Sequence, residues 1–191
     1  MKTALYKYLE KLEACADALT WVDDNKLSDP QVAWDTCPDP RWLIWVTEKH
    51  QGKPGWPTRQ EVVLTACGCA EMSLHLVPAD EVRPRLAIAT ARRWAEGKAT
   101  FEECRQAVIY AVDAANAVHS TSRAAYIAAY AAAYAVDTVD TVDTVFAVYR
   151  AAGAAYHAAD AIGLSGGDFY KALADMADIV RKRLYIGEIS L

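Results

Sequence analysis

The sequence has no stretch of about 18 uncharged apolar residues, so no membrane-spanning helix is expected. It opens Met1-Lys2-Thr3 directly onto an amphipathic pattern, without the apolar core of a signal peptide. It has no G-x-S-x-G elbow, P-loop, Rossmann glycine pattern or H-E-x-x-H, the short motifs by which common hydrolase, nucleotide and zinc chemistries announce themselves. Histidine is scarce, four in 191 residues, and the five cysteines are odd in number. Without an export signal the expected state is free thiols in the cytoplasm. Base excess is missing too: the net charge is −5, which argues against general affinity for nucleic acid or anionic membrane. Between Ala107 and Val180 eight aspartates face only Arg123, Arg150 and Lys171, so this segment alone carries five negative charges. A basic partner suits it better than an acidic one.

What the chain has in abundance is alanine. Ala124 to Tyr134 is alanine interrupted by Tyr126, Ile127, Tyr130 and Tyr134, and alanine has the best helix propensity because it loses no rotamer entropy. The three tyrosines, four apart, form one ridge on such a helix. Val136-Asp137-Thr138 then repeats as Val139-Asp140-Thr141 and Val142-Asp143-Thr144. A three-residue step rotates each valine back by roughly 60°, so no single face is kept. Aspartate and threonine favour caps over helix interiors. A turn or kink is therefore expected within Val136–Thr144.

The remaining elements read as helices with recognisable ends. Leu5, Tyr8, Leu9, Leu12, Cys15, Ala16 and Leu19 predict one helix over Thr3–Val22. Asp29-Pro30 opens a short helix toward Cys37, and Asp39-Pro40 opens another to His50. Trp34, Trp42 and Trp45 are read as aromatic core filling the space left by alanine helices. Gln51–Pro57, with two glycines and two prolines, is a loop. Thr58–Glu61 and Thr100–Glu103 are capping boxes, predicting helices to Pro78 and to about His119. Between them a helix runs from the acids after Pro78 to a C-cap at Gly97. Ser120-Thr121-Ser122 caps the alanine-tyrosine helix, and a further helix reaches about Ala161. After the loop Gly163–Gly167, Asp168 caps a last helix to Leu184. The expectation is an all-α bundle of about nine helices without strands. It forms one domain, residues 1–191, with a tryptophan-rich part, 1–57, and an alanine-rich part, 58–191.

Candidate chemistry is thin. Cys67-Gly68-Cys69 with His75 resembles metal ligation, but residues two apart on a helix point in nearly opposite directions and no second cysteine pair follows, so buried core cysteines are the reading. Asp137, Asp140 and Asp143 form either a solvated acidic face or a surface that docks onto a basic protein; a diphosphate–Mg²⁺ site would need a second acidic helix that is absent. His119 and His157, near Asp113 and Asp160, read as structural histidines rather than an acid-base couple. No cofactor and no metal is expected.

The densest segment is Asp80-Glu81-Val82-Arg83-Pro84-Arg85-Leu86-Ala87-Ile88, followed by Arg92, Trp94 and Gly97. Arginines at a helix N-terminus oppose the macrodipole and so demand carboxylates. They read either as a clamp tying helices or as an anion- or partner-binding site made of Asp80, Arg83, Arg85, Arg92 and Trp94. This pattern, with Ala66, Cys67 and Ala70 upstream and Ala33-Trp34-Asp35-Thr36-Cys37 followed by Trp42-Leu43-Ile44-Trp45, resembles the immunity protein family numbered five of bacterial polymorphic-toxin systems, including its phage-encoded members. The likeness covers about Gln31 to Ile162. It implies a non-enzymatic inhibitor that neutralises a toxin or defence effector by direct binding. Tyr126, Tyr130, Tyr134, Asp137, Asp140 and Asp143 are then the candidate contact residues. The alternative is an all-α protein binding a small anion or nucleotide through Arg83, Arg85 and Arg92.

Overall fold

A computed structural model describes residues 2–50, 52–119, 122–137 and 144–189, with the backbone alone for 144–149. Ten α-helices and no strand occur among the described residues. They are α1 Ala4–Lys11, α2 Ala16–Asp24, α3 Pro30–Thr36, α4 Pro40–Glu48, α5 Arg59–Glu71, α6 Arg83–Ala95, α7 Phe101–Val118, α8 Arg123–Asp137, α9 Thr144–Leu164 and α10 Phe169–Arg183, with a 3-10 turn at Leu74–Leu76.

The caps expected from sequence form. Thr58 and Thr100 each accept from the backbone three residues on, while Glu61 and Glu103 reach back to the cap amide. Asp29, Asp39 and Asp168 cap α3, α4 and α10. Two expectations change. The helix expected over Thr3–Val22 is two helices, because α1 closes by an Ala14 N–H to Leu9 carbonyl bond around Glu13, whose φ is 65°. Gly97 and Gly166 occupy the equivalent left-handed positions after α6 and α9. The helix expected from the Thr58 box to Pro78 stops at Glu71, and the 3-10 turn follows.

α8 and α9 form the centre. Asp137 pairs with Arg150 and Tyr134 lies on Gly153, so the two helices run antiparallel. The turn expected within Val136–Thr144 falls largely on residues 138–143, outside the described residues. Ala128, Ala129, Ala131, Ala132 and Ala135 on α8, and Ala151, Ala154, Ala155, Ala158 and Ala159 on α9, are all fully buried. Methyl-sized side chains let the backbones approach closely, but each methyl contributes only about 0.8 kcal/mol of transfer free energy. The larger apolar volume comes from the flanks. Trp34, Leu43 and Ile44 join the alanines of α9 and Met176 of α10 in one core cluster, the role expected of the tryptophan-rich part. Trp21, Trp42 and Trp45 pack on its edge and line an apolar cavity of about 70 Å³.

Long-range polar ties hold the periphery. Tyr8 Oη lies 2.5 Å from His50 Nε2, and His50 Nδ1 lies 2.7 Å from the Val46 carbonyl. The carbonyl can only accept, so Nδ1 carries the proton and Nε2 accepts from the phenol. His50 stacks on Trp56 with ring centroids 4.0 Å apart. A Cβ at Gly187 would collide with the Trp56 indole, so the segment after α10 crosses that ring only as glycine. Arg181 on α10 donates to the carbonyls of Cys37, at 2.6 Å, and Trp34, closing the C-terminal end of α3.

Candidate functional site

The arginine-proline-arginine segment builds a corner between α5 and α6. Arg83 would stand badly at the N-terminus of α6, but Glu81 folds under it. One Glu81 oxygen accepts from the Arg83 amide at 3.1 Å and from Nε at 2.8 Å, and the other pairs with Nη2. That guanidinium holds the Glu81 carboxyl below its usual range. Pro84, at the first turn, needs no amide donor and is buried. Arg85 takes a different partner set. Its Nη1 donates to the carbonyls of Glu81 and Pro78, and its Nη2 to those of Leu74, at 2.9 Å, and Val77. One planar fork thus gathers four carbonyls of the 3-10 turn and the following loop, two of which, those of Leu74 and Pro78, also accept a backbone N–H. Arg92 reaches Glu71 at the end of α5, at 2.7 Å. Trp94 is half-buried between Phe101 and the Arg59 guanidinium. Asp80 is exposed.

The tyrosine ridge divides. Tyr126 and Tyr130 are half-buried against a second apolar cluster of Val77, Ala115, Ala128, Ala129 and Ala161. A hydrogen bond with Tyr126, and then burial, pushes the Tyr130 phenol up. Tyr134 lies between α8 and α9, 4.8 Å from the His157 ring and 5.0 Å beneath the Arg150 guanidinium. Asp137 pairs with Arg150 at 2.9 Å, with about a quarter of its side chain exposed. Asp140 and Asp143 lie outside the described residues.

The cysteines behave as core. Cys37, Cys67, Cys69 and Cys104 are buried, and only Cys15 is exposed. Burial pushes the thiols of Cys37, Cys67 and Cys69 up to about 12. Among the described residues no three histidine, cysteine or acidic side chains are placed to hold a metal ion. His75 Nδ1 lies 2.9 Å from the Met72 carbonyl. His157 is lowered by burial, with Asp160 opposing, and its Nδ1 has no hydrogen-bond partner among the described residues. His119 meets Tyr126 edge to face.

One aromatic group escaped the sequence reading. Tyr156 on α9 and Phe169 and Tyr170 at the start of α10 meet edge to face, at 5.8 and 5.4 Å. Arg41 from α4 lies 5.2 Å over Tyr156. No periodicity within one helix signals this group, since three elements contribute to it.

These features define an all-α scaffold whose motif arginines are bound by its own carbonyls and carboxylates. The family model described as "Imm-5 like putative immunity protein" matches residues 57–184, and the chain belongs to that family. The match begins just before the Thr58 cap and ends at Leu184, so it takes in the arginine corner and the alanine helices. No curated protein and no solved structure matches the chain. No helix among the described residues is long and apolar enough to cross a membrane.

Proposed function

We propose that the protein is a non-enzymatic inhibitor that neutralises a toxin or defence effector in the cytoplasm by binding it directly. The observation that carries this reading is the family match over 57–184, which includes the arginine corner. The placement of the polar residues supports it. Arg83 and Arg92 are committed to Glu81 and Glu71, and Arg85 to four carbonyls, which leaves the anion-binding alternative without free donors on Arg85's two terminal nitrogens. The histidines are spread over separate environments: His50 on Tyr8 and Trp56, His75 on the Met72 carbonyl, His119 on Tyr126 and His157 on Tyr134. Asp137, Asp140 and Asp143, with Tyr126, Tyr130 and Tyr134, remain candidate contacts on the acidic half.

Co-expression with candidate toxin domains, any encoded by neighbouring genes first, tests the reading. Growth should be rescued only when the protein is at least stoichiometric with the toxin, and the two should co-elute as a complex. Rescue by a small fraction of an equivalent would mean catalytic detoxification. Absence of a complex would mean that neutralisation, if any, does not act by binding.

A further inference from the structure

We propose that the face built by Tyr156, Phe169 and Tyr170, with Arg41 at its edge, is the docking surface for a basic protein segment. The proposal rests on the reading of the chain as a protein-binding inhibitor, and it assigns a surface outside the candidate residues of the acidic repeat.

The face is constructed rather than incidental. Tyr170 is 80% exposed and Tyr156 38%, while Phe169 beneath them is half-buried. Gly163 allows the close approach, since a Cβ there would lie 3.3 Å from the Cβ of Phe169. Arg41 cannot swing freely. Asp39, 6% exposed, holds its Nε and Nη2 in a two-pronged pair at 2.9 and 2.5 Å, fixing the guanidinium over Tyr156. Exposed tyrosines held by neighbouring rings, beside an ordered arginine, have the composition and rigidity of binding hot spots.

Charge selects the partner. The two bases at this face are already neutralised within the chain, Arg41 by Asp39 and Lys171 by Asp175 at 2.8 Å. Asp160, one turn after Tyr156 on α9, and Asp168, the residue before Phe169, have no ion pair among the described residues. Asp168 uses Oδ1 to cap α10, leaving Oδ2 as an acceptor. The partial negative charge at the end of α9 and the partial positive charge at the start of α10 meet here, so the carboxylates set the sign of the face. The face therefore offers aromatic rings together with carboxylates that have no ion pair among the described residues, which suits lysine or arginine side chains of a partner lying over the exposed Tyr170 ring. It also lies within the segment that holds the chain's whole charge excess of −5.

Titration of the ¹⁵N-labelled full chain with a short alternating arginine-glycine peptide, and separately with its glutamate counterpart, tests the surface. Amide shifts on adding the arginine peptide should centre on residues 156–160 and 168–171. Tyr170→Ser, and separately Asp160→Asn with Asp168→Asn, should weaken that binding by about tenfold, whereas Tyr110→Ser on α7 should leave it unchanged. Asparagine preserves the cap at residue 168, and Tyr170 is exposed, so the fold is retained. Shifts centred elsewhere, equal response to the glutamate peptide, or indifference to Tyr170→Ser would overturn the proposal. The toxin complex separates this from the functional reading. A complex that forms with wild type and is indifferent to Tyr170→Ser removes this surface and leaves the inhibitor standing.

Discussion

Replacing Gly153 by alanine should destabilise the protein, although the same change in an ordinary helix interior is favourable. Alanine exceeds glycine by about 1 kcal/mol in helix propensity. At position 153, however, a Cβ would sit 2.7 Å from Tyr134 Cδ1 and 3.0 Å from Cε1. The ring is also held against His157 and Arg150, so it has little room to move away. Overpacking of this kind costs about 1–3 kcal/mol, leaving a net loss of about 0–2 kcal/mol. In a Tyr134→Ala background the obstacle is gone and the propensity gain should reappear. The coupling between the two positions is therefore about 1–3 kcal/mol. With a urea m-value of about 2 kcal/mol per molar, the effect of Gly153→Ala on the midpoint should differ between backgrounds by about 0.5–1.5 M. Equal shifts in the two backgrounds would show that Tyr134 does not pack on Gly153, and would undo the argument for glycine at this crossing.

Three further outcomes follow from the polar ties and the thiols. Burial lowers the His50 pKa below its unfolded value, so the unfolded chain takes up the proton first. Stability should be full above about pH 6.5 and fall as the pH drops from there through the folded pKa, and His50→Gln should flatten the part of that slope not due to His157 in pH-dependent urea melts. Arg85→Lys should cost about 1–3 kcal/mol in thermal or urea unfolding, because a point charge cannot span four carbonyls; an unchanged midpoint would count against the corner as described. Of five cysteines, only Cys15 should react rapidly with an aromatic disulfide reagent under native conditions, giving one fast equivalent per chain by absorbance.

How far the sequence speaks depends on the range of the interaction. Ends written in local chemistry were legible: the Thr58–Glu61 and Thr100–Glu103 boxes, the Asp-Pro starts of α3 and α4, and the C-cap at Gly97, whereas α9 runs on to Leu164, past the expected end near Ala161. The break after α1 was hidden because Glu13, not glycine, takes the left-handed position there, and a strong apolar stripe runs through it. The arginine corner was legible as a tie but not in its partners, since carboxylates were expected where Arg85 takes carbonyls. Those carbonyls converge on one guanidinium because the 3-10 turn and loop replace the end of the helix expected there. The contact between Arg41 and Tyr156 lies 115 positions apart in sequence and has no local signature at all.

The arginine that closes α3 also sets an order of events in the cell. Its acceptors, the carbonyls of Trp34 and Cys37, leave the ribosome 147 and 144 residues before Arg181 does. At about 5–20 residues per second the wait is roughly 7–30 s, during which the N-terminal part up to Trp56 lacks both this tie and the glycine segment over that ring. Native packing of the N-terminal part is thus deferred until the C-terminal helix has been made. A chain cut short before α10 would lose order at its beginning as well as at its end.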